Sequence, residues 1–293
     1  GAGLPLALIA ATIDAGVTVA ALVVGYAAWA ALLFLVDPQG FRFPFVPNAE
    51  IIAPITENSD DRGAAYIRQF GRLVLTGLEP RSGPKLDGFT VAAATARDEA
   101  AGGGSLWDAL PTEDGRTLIA LMDVKGTGLP PAYLLAITRA LLHELGPATP
   151  FPELLRRLNA AVFRNLFEGL DECVETALIE VADGKVRWSC AGDQPAVVLR
   201  ADGTRDDIVS NGPPLGILPQ FDYGVTEIEL GAGDTLLAFS EAPAGLVKGA
   251  VELAKGRSDA DPAQLVHLLQ TAFQKVQARG AETDLAFMVL RRS

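Results

Sequence analysis

Residues 102–108 read GGGSLWD and residues 122–128 read MDVKGTG. A glycine-rich turn entering a short apolar run, followed by a second glycine turn behind an acid, is a frame suited to a phosphate or a metal ion. Backbone can approach a ligand closely where no Cβ intervenes, and Asp123 supplies charge. Such a frame needs charge from more than one element, and the first turn delivers Ser105, a neutral hydroxyl, instead. The remaining chemistry-bearing residues are weaker signals. His143 and His267 fall on expected helices with no Cys or His at ligand spacing. Cys173 and Cys190 have no neighbouring base and read as structural thiols. The turn at Lys125 lacks the spacing of a phosphate-binding P-loop. Trp107 and Trp188 read as core.

The elements around this frame alternate in type. Apolar runs at 88–96, 105–111 and 116–124 are divided by turn residues and predict strands, with a hairpin turn at 113–115. Helical patterns follow at 129–145, with prolines in the first turn, and at 149–167, with Thr149 as the expected cap. Strands return at 174–182, 185–192, 196–200, 225–231 and 234–240, a helix is expected over 262–279, and a strand over 284–292 closes the chain. The series predicts an α+β layered sandwich of mainly antiparallel sheets flanked by helices.

The net charge of −12 excludes a basic nucleic-acid footprint. Two cysteines are too few for a disulfide scaffold. Hydrophobic residues make up 49% of the chain, and the excess is concentrated at its start. The uncharged run at 15–36 is long enough to span a bilayer as one helix, which the Asp37–Pro38 pair ends. Arg42, Arg62, Arg68 and Arg72 all follow this run and no basic residue precedes it, which places the rest of the chain in the cytoplasm. The expected organisation is a membrane anchor over 1–36, a linker and juxtamembrane helix over 37–80, and a folded domain over 81–293. The helix near 59–77 lies between linker and domain, and its apolar face, including Leu75, is expected to fix or transmit an interface.

Several stretches line up in order with one family. LEPRSGPKLDGFTVAAATARDEAAGGGSLWD, LIALMDVKGTGLPPAYLLA, VRWSCAGDQPAVVLRADG, SNGPPLGIL, LGAGDTLLAFSEA and TDLAFMVLRR resemble successive motifs of the PPM-type, metal-dependent serine/threonine protein phosphatases, in the bacterial SpoIIE/RsbU branch. The resemblance runs from about residue 69 to 292. It implies a two-metal site in which Mn or Mg ions, held by carboxylates, generate hydroxide and stabilise charge on a phosphoryl group.

Carried over residue by residue, the family's four metal acids fall on Ser105, Asp123, Glu241 and Thr283. Two are neutral and Glu241 is longer by a methylene. The family's histidines fall on Thr127 and Asp193, and a glycine on Ala242. Asp108 and Asp284 are the nearest substitutes. Strand alternation turns Asp108 to the face opposite Ser105, and Asp284 is expected to face away because it adjoins Thr283. The leading expectation is a membrane-tethered pseudophosphatase-like domain, a regulatory or scaffold subunit acting by protein binding, with no cofactor. The alternatives are an active Mn- or Mg-dependent phosphatase acting on a small phosphoprotein of a signalling pathway, and a structural subunit of a larger membrane complex. The expected location is the bacterial cytoplasmic membrane, with the soluble domain in the cytoplasm.

Overall fold

The computed structural model describes residues 61–97, 104–126, 128–166, 172–210, 212–257, 260–277 and 284–293. The apolar run at 15–36 and the linker after it lie outside the described residues. Among those described, no helix is long and apolar enough to cross a membrane.

Helix α1 (Asp61–Leu78) precedes strands β1 (Phe89–Ala96), β2 (Ser105–Pro111) and β3 (Thr117–Asp123). Helices α2 (Leu129–Leu145) and α3 (Phe151–Asn165) follow. Then come β4 (Glu175–Ala182), β5 (Lys185–Ala191), β6 (Ala196–Leu199), β7 (Arg205–Ile208), β8 (Thr226–Ile228) and β9 (Thr235–Phe239). The chain finishes with α4 (Ala244–Lys255), α5 (Pro262–Gln277) and β10 (Leu285–Arg292). One sheet has the order β1-β10-β9-β6-β7 and the other β2-β3-β4-β5-β8, with antiparallel pairing throughout.

Period-two alternation sorts each strand between two cores. Ile119 and Leu121 of β3, Trp188 of β5 and Met288 and Leu290 of β10 fill the space between the sheets. Their neighbours point outward to the helices. Leu118, Ala120 and Met122 meet α2 and α3 through Leu135 and Leu155. Phe287 and Val289 meet α4 and α5 through Val251 and Phe273. The result is four layers, helix, sheet, sheet, helix, as the sequence predicts. The Asp183–Gly184 turn joining β4 to β5 has both residues left-handed, at φ 50° and 72°, as a two-residue hairpin requires.

Four local expectations need correction. Thr149 is not a cap: α3 starts after Pro150, and the buried Thr149 hydroxyl has no hydrogen-bond partner. Leu75 is fully buried in the helix-side core, so the apolar stripe of α1 serves this domain's own packing at that position. Strand β8 is shorter than the run at 225–231, because only Thr226–Ile228 finds a partner, in β5. The fourth correction is two unanticipated elements, α4 and the edge strand β7, whose sequence RDDI carries no apolar alternation.

Asp234, just before β9, organises the turn that leads into this strand. Its carboxylate accepts the N–H groups of Gly231 and Ala201, each at 2.9 Å, and pairs with Arg200 at 2.9 Å. Burial pushes its pKa up, but the Arg200 pair and the two backbone donors outweigh that and hold it below the usual 3.8. A carboxylate with a depressed folded pKa adds stability above its unfolded pKa, and this is lost as pH falls through the folded value. Asp234→Asn is therefore expected to cost about 1–3 kcal/mol at neutral pH. In chemical denaturation the gap to the natural chain should close below about pH 4.

Candidate functional site

The cleft between the sheets opens where β2, β3 and β4 meet. Register places Ser105 opposite Asp123, and Asp123 opposite Glu175. Alternation puts these three on the face shared by Trp107, Leu121 and Ala177, all of which pack between the sheets. The other sheet contributes Ser240, just past β9, and Asp284, just before β10, each continuing the inward series of Ala238 and Ala286. Gly104 fixes the closest approach. Its carbonyl accepts the Val124 N–H at 2.7 Å, and a Cβ there would lie 2.2 Å from the Val124 oxygen.

The inward groups bind one another. The Ser105 hydroxyl donates to Asp123 Oδ1 and lies 3.3 Å from Ser240 Oγ, which accepts the Ala286 N–H at 3.0 Å. Asp284 Oδ2 accepts the Gly104 N–H at 3.2 Å and lies 3.6 Å from the Arg97 guanidinium. The Arg97 side chain is itself largely covered: it donates to the Ser105 carbonyl at 3.1 Å and pairs with Glu79 at 2.6 Å. At the mouth, Lys125 Nζ lies 3.1 Å from Glu241 Oε1. Glu175 accepts the Asp193 N–H at 3.3 Å.

Four carboxylates thus crowd one cleft. Burial first, then the charges of Glu241, Glu175 and Asp284, push Asp123 up to about 7, against the opposing hydrogen bond from Ser105. Burial likewise raises Glu175. The hydrogen bond and charge of Glu241, helped by Glu175 and Asp123, raise the Lys125 ammonium's pKa.

A two-ion centre of hard cations needs several free carboxylate oxygens converging in fixed geometry. Among the described residues, no three His, Cys, Asp or Glu side chains converge so as to hold a metal ion. Ser105 is neutral and spends its proton on Asp123, while Glu241 and Asp284 each face a basic side chain. The described donors do not fit the pair of ions.

The sequence expectations divide accordingly. Ser105 and Asp123 stand opposite one another, and Glu241 stands at the mouth, half exposed. Thr283 and Thr127 lie outside the described residues. Asp284 does not face away: it projects into the cleft, because its inward register with Ala286 outweighs simple adjacency to Thr283. Asp108 is no substitute ligand. It turns to the helix side of β2, where it pairs with Arg139 of α2 at 3.0 Å and His143 Nε2 at 2.5 Å. Arg97, Glu175, Ser240 and the role of Lys125 were not anticipated. Only Glu175 had a usable signal, the pairing of β3 with β4 that sets it beside Asp123.

Residues 113–293 match the family model described as Stage II sporulation protein E (SpoIIE). The phosphoserine phosphatase RsbU of Bacillus subtilis is 26% identical over 125 residues, covering 42% of this chain and 37% of RsbU. The chain spans well under half the length of the curated relatives it matches. Among solved structures, the RsbU and RsbW domains of a Mycobacterium tuberculosis protein superpose with a TM-score of 0.57 at 21% identity, covering 72% of this chain and 63% of that one. RsbX, solved in complex with magnesium, superposes with a TM-score of 0.54 at 11% identity, covering 72% of this chain and 98% of that one. At these identities the structures carry the fold alone.

Proposed function

The chain belongs to the SpoIIE family of PPM-type phosphatases, and we propose that within it this domain is a pseudophosphatase, a regulatory or scaffold subunit that acts by binding a protein partner. The observation that carries this reading is the Ser105–Asp123 hydrogen bond. At the position where the family motif has an acid, a hydroxyl donates a hydrogen bond to the one acid that is kept. That bond occupies an oxygen a metal would need, and brings no charge of its own.

The surrounding residues support the same reading. Asp123 is pushed up to about 7 by burial and by Glu241, Glu175 and Asp284, with no basic side chain among the main causes to offset them. Asp284 is engaged by Gly104 and Arg97. What these residues do is hold the ends of β2, β3, β9 and β10 together across the cleft. Fold alone imposes no activity, so the missing chemistry weighs more than the shared architecture. The family's partners are signalling proteins by resemblance, and RsbU and RsbW domains occur in one chain of a structural neighbour; a small regulatory protein is the class of partner proposed here.

A second reading, a metal-dependent phosphatase acting on a small phosphoprotein, draws on Asp284, which stands in the cleft together with Asp123. Hydrolysis of a generic aryl phosphate by the full chain separates the two. With excess Mn or Mg, turnover is expected to stay at the level of the buffer blank. Robust turnover that Mn switches on would favour the second reading.

A further inference from the structure

We propose that Lys125 is a tethered cation: its ammonium, held on Glu241, occupies the place of a divalent ion at the cleft mouth and keeps the centre closed to metal. The inference rests on the pseudophosphatase reading and explains how the centre can keep acids without holding ions.

Lys125 is two residues beyond Asp123, so its stem leaves the same turn that delivers the kept acid. Its Nζ reaches across to Glu241, which follows β9 in the other sheet, at 3.1 Å. Asp123 and Glu241 are the acids that would hold an ion here, and the ammonium stands against the second of them. Arg97 plays the matching part deeper in, with a guanidinium 3.6 Å from Asp284 that is anchored on Glu79 and the Ser105 carbonyl. Each of the four acids therefore already has a protein donor: Ser105 on Asp123, Lys125 on Glu241, Arg97 and Gly104 on Asp284, and the Asp193 N–H on Glu175.

The two cations differ in what they do. The Arg97 side chain is largely covered and is anchored on Glu79. The Lys125 side chain is 70% exposed and that of Glu241 44% exposed, so their pair adds little to stability. Its effect falls instead on any second cation entering the cleft. A unit positive charge within a few ångströms of a divalent ion, partly screened by water, weakens that ion's binding by on the order of tenfold.

The test is Mn titration of the full chain to about 10 mM, a range in which weak ion sites register, followed by calorimetry and thermal melting. The proteins are the natural chain, Lys125→Met and Lys125→Arg. Lys125→Met keeps the stem and removes the charge; Lys125→Arg keeps the charge. Lys125→Met should melt within about 2 °C of the natural chain in EDTA, since an exposed pair is lost. It should bind Mn on the order of tenfold more tightly than the natural chain, and Lys125→Arg should behave as the natural chain does. A Lys125→Met protein as blind to Mn as its parent would overturn the tethered-cation inference and leave the pseudophosphatase reading standing. Tight Mn binding by the natural chain would overturn both.

Discussion

The triple variant Ser105→Asp, Glu241→Asp, Thr283→Asp is expected to bind Mn on the order of 100-fold more tightly than the natural chain. Register is the reason. Ser105 lies directly opposite Asp123 with both side chains inward, so an aspartate there places a second carboxylate beside the first. The same change removes the hydroxyl that now donates to Asp123. Shortening residue 241 by a methylene draws its carboxylate back from Lys125 toward the strand end. An acid at 283 adds charge next to Asp284. The variant should also show its strain without metal. Neighbouring acids already help push Asp123 up to about 7, and more negative charge in the cleft must lower stability when no cation is present. Its melting temperature in EDTA should therefore fall below that of the natural chain and recover as Mn is added, since a ligand that binds only the folded state stabilises it. A triple variant with no more Mn response than its parent would show that the cleft geometry, and not its missing charge, excludes the ions.

Asp108→Ala is expected to destabilise the domain by about 2–4 kcal/mol without altering its response to Mn. Asp108 is buried to 1% exposure between β2 and α2, where Arg139 and His143 converge on one of its oxygens. Those partners are partly exposed, so they can regain water when the carboxylate is removed; the expected loss is held below the full cost of stranding a buried charge for that reason. What remains is the loss of charged hydrogen bonds that pin α2 to the sheet. Denaturant melts read the stability change, and the same Mn titration reads the other half. Were Asp108 a displaced metal ligand, its loss would change metal response more than stability.

Much of the fold was legible because most strands have one face in each of two cores, and such strands read as apolar runs of the right length between turn residues. Leu118 to Met122 and Leu285 to Leu290 are of this kind. Helix α4 was missed although Leu246, Val247, Ala250, Val251 and Ala254 keep helical spacing, because Gly245 and Gly249 weaken the local pattern. Strand β7 has exposed, charged residues and exists only because β6 offers it an edge. At the site, Ser105 and Asp123 could be paired from motif order. The groups that neutralise the acids could not. Arg97 and Asp284, or Lys125 and Glu241, are brought together by the packing of the two sheets, and nothing local in either segment announces the other. Asp284 was misjudged for a related reason: adjacency fixes which face of a strand a residue takes, but which face lines the cleft is set by the sheet opposite.

The most direct measurement is calorimetric titration of the natural full chain with Mn near neutral pH. The account predicts no saturable binding below about 1 mM, because Ser105 brings no charge and Asp123, Glu241 and Asp284 are already engaged by the protein's own donors. Two ions bound with micromolar affinity by the unaltered sequence would contradict it.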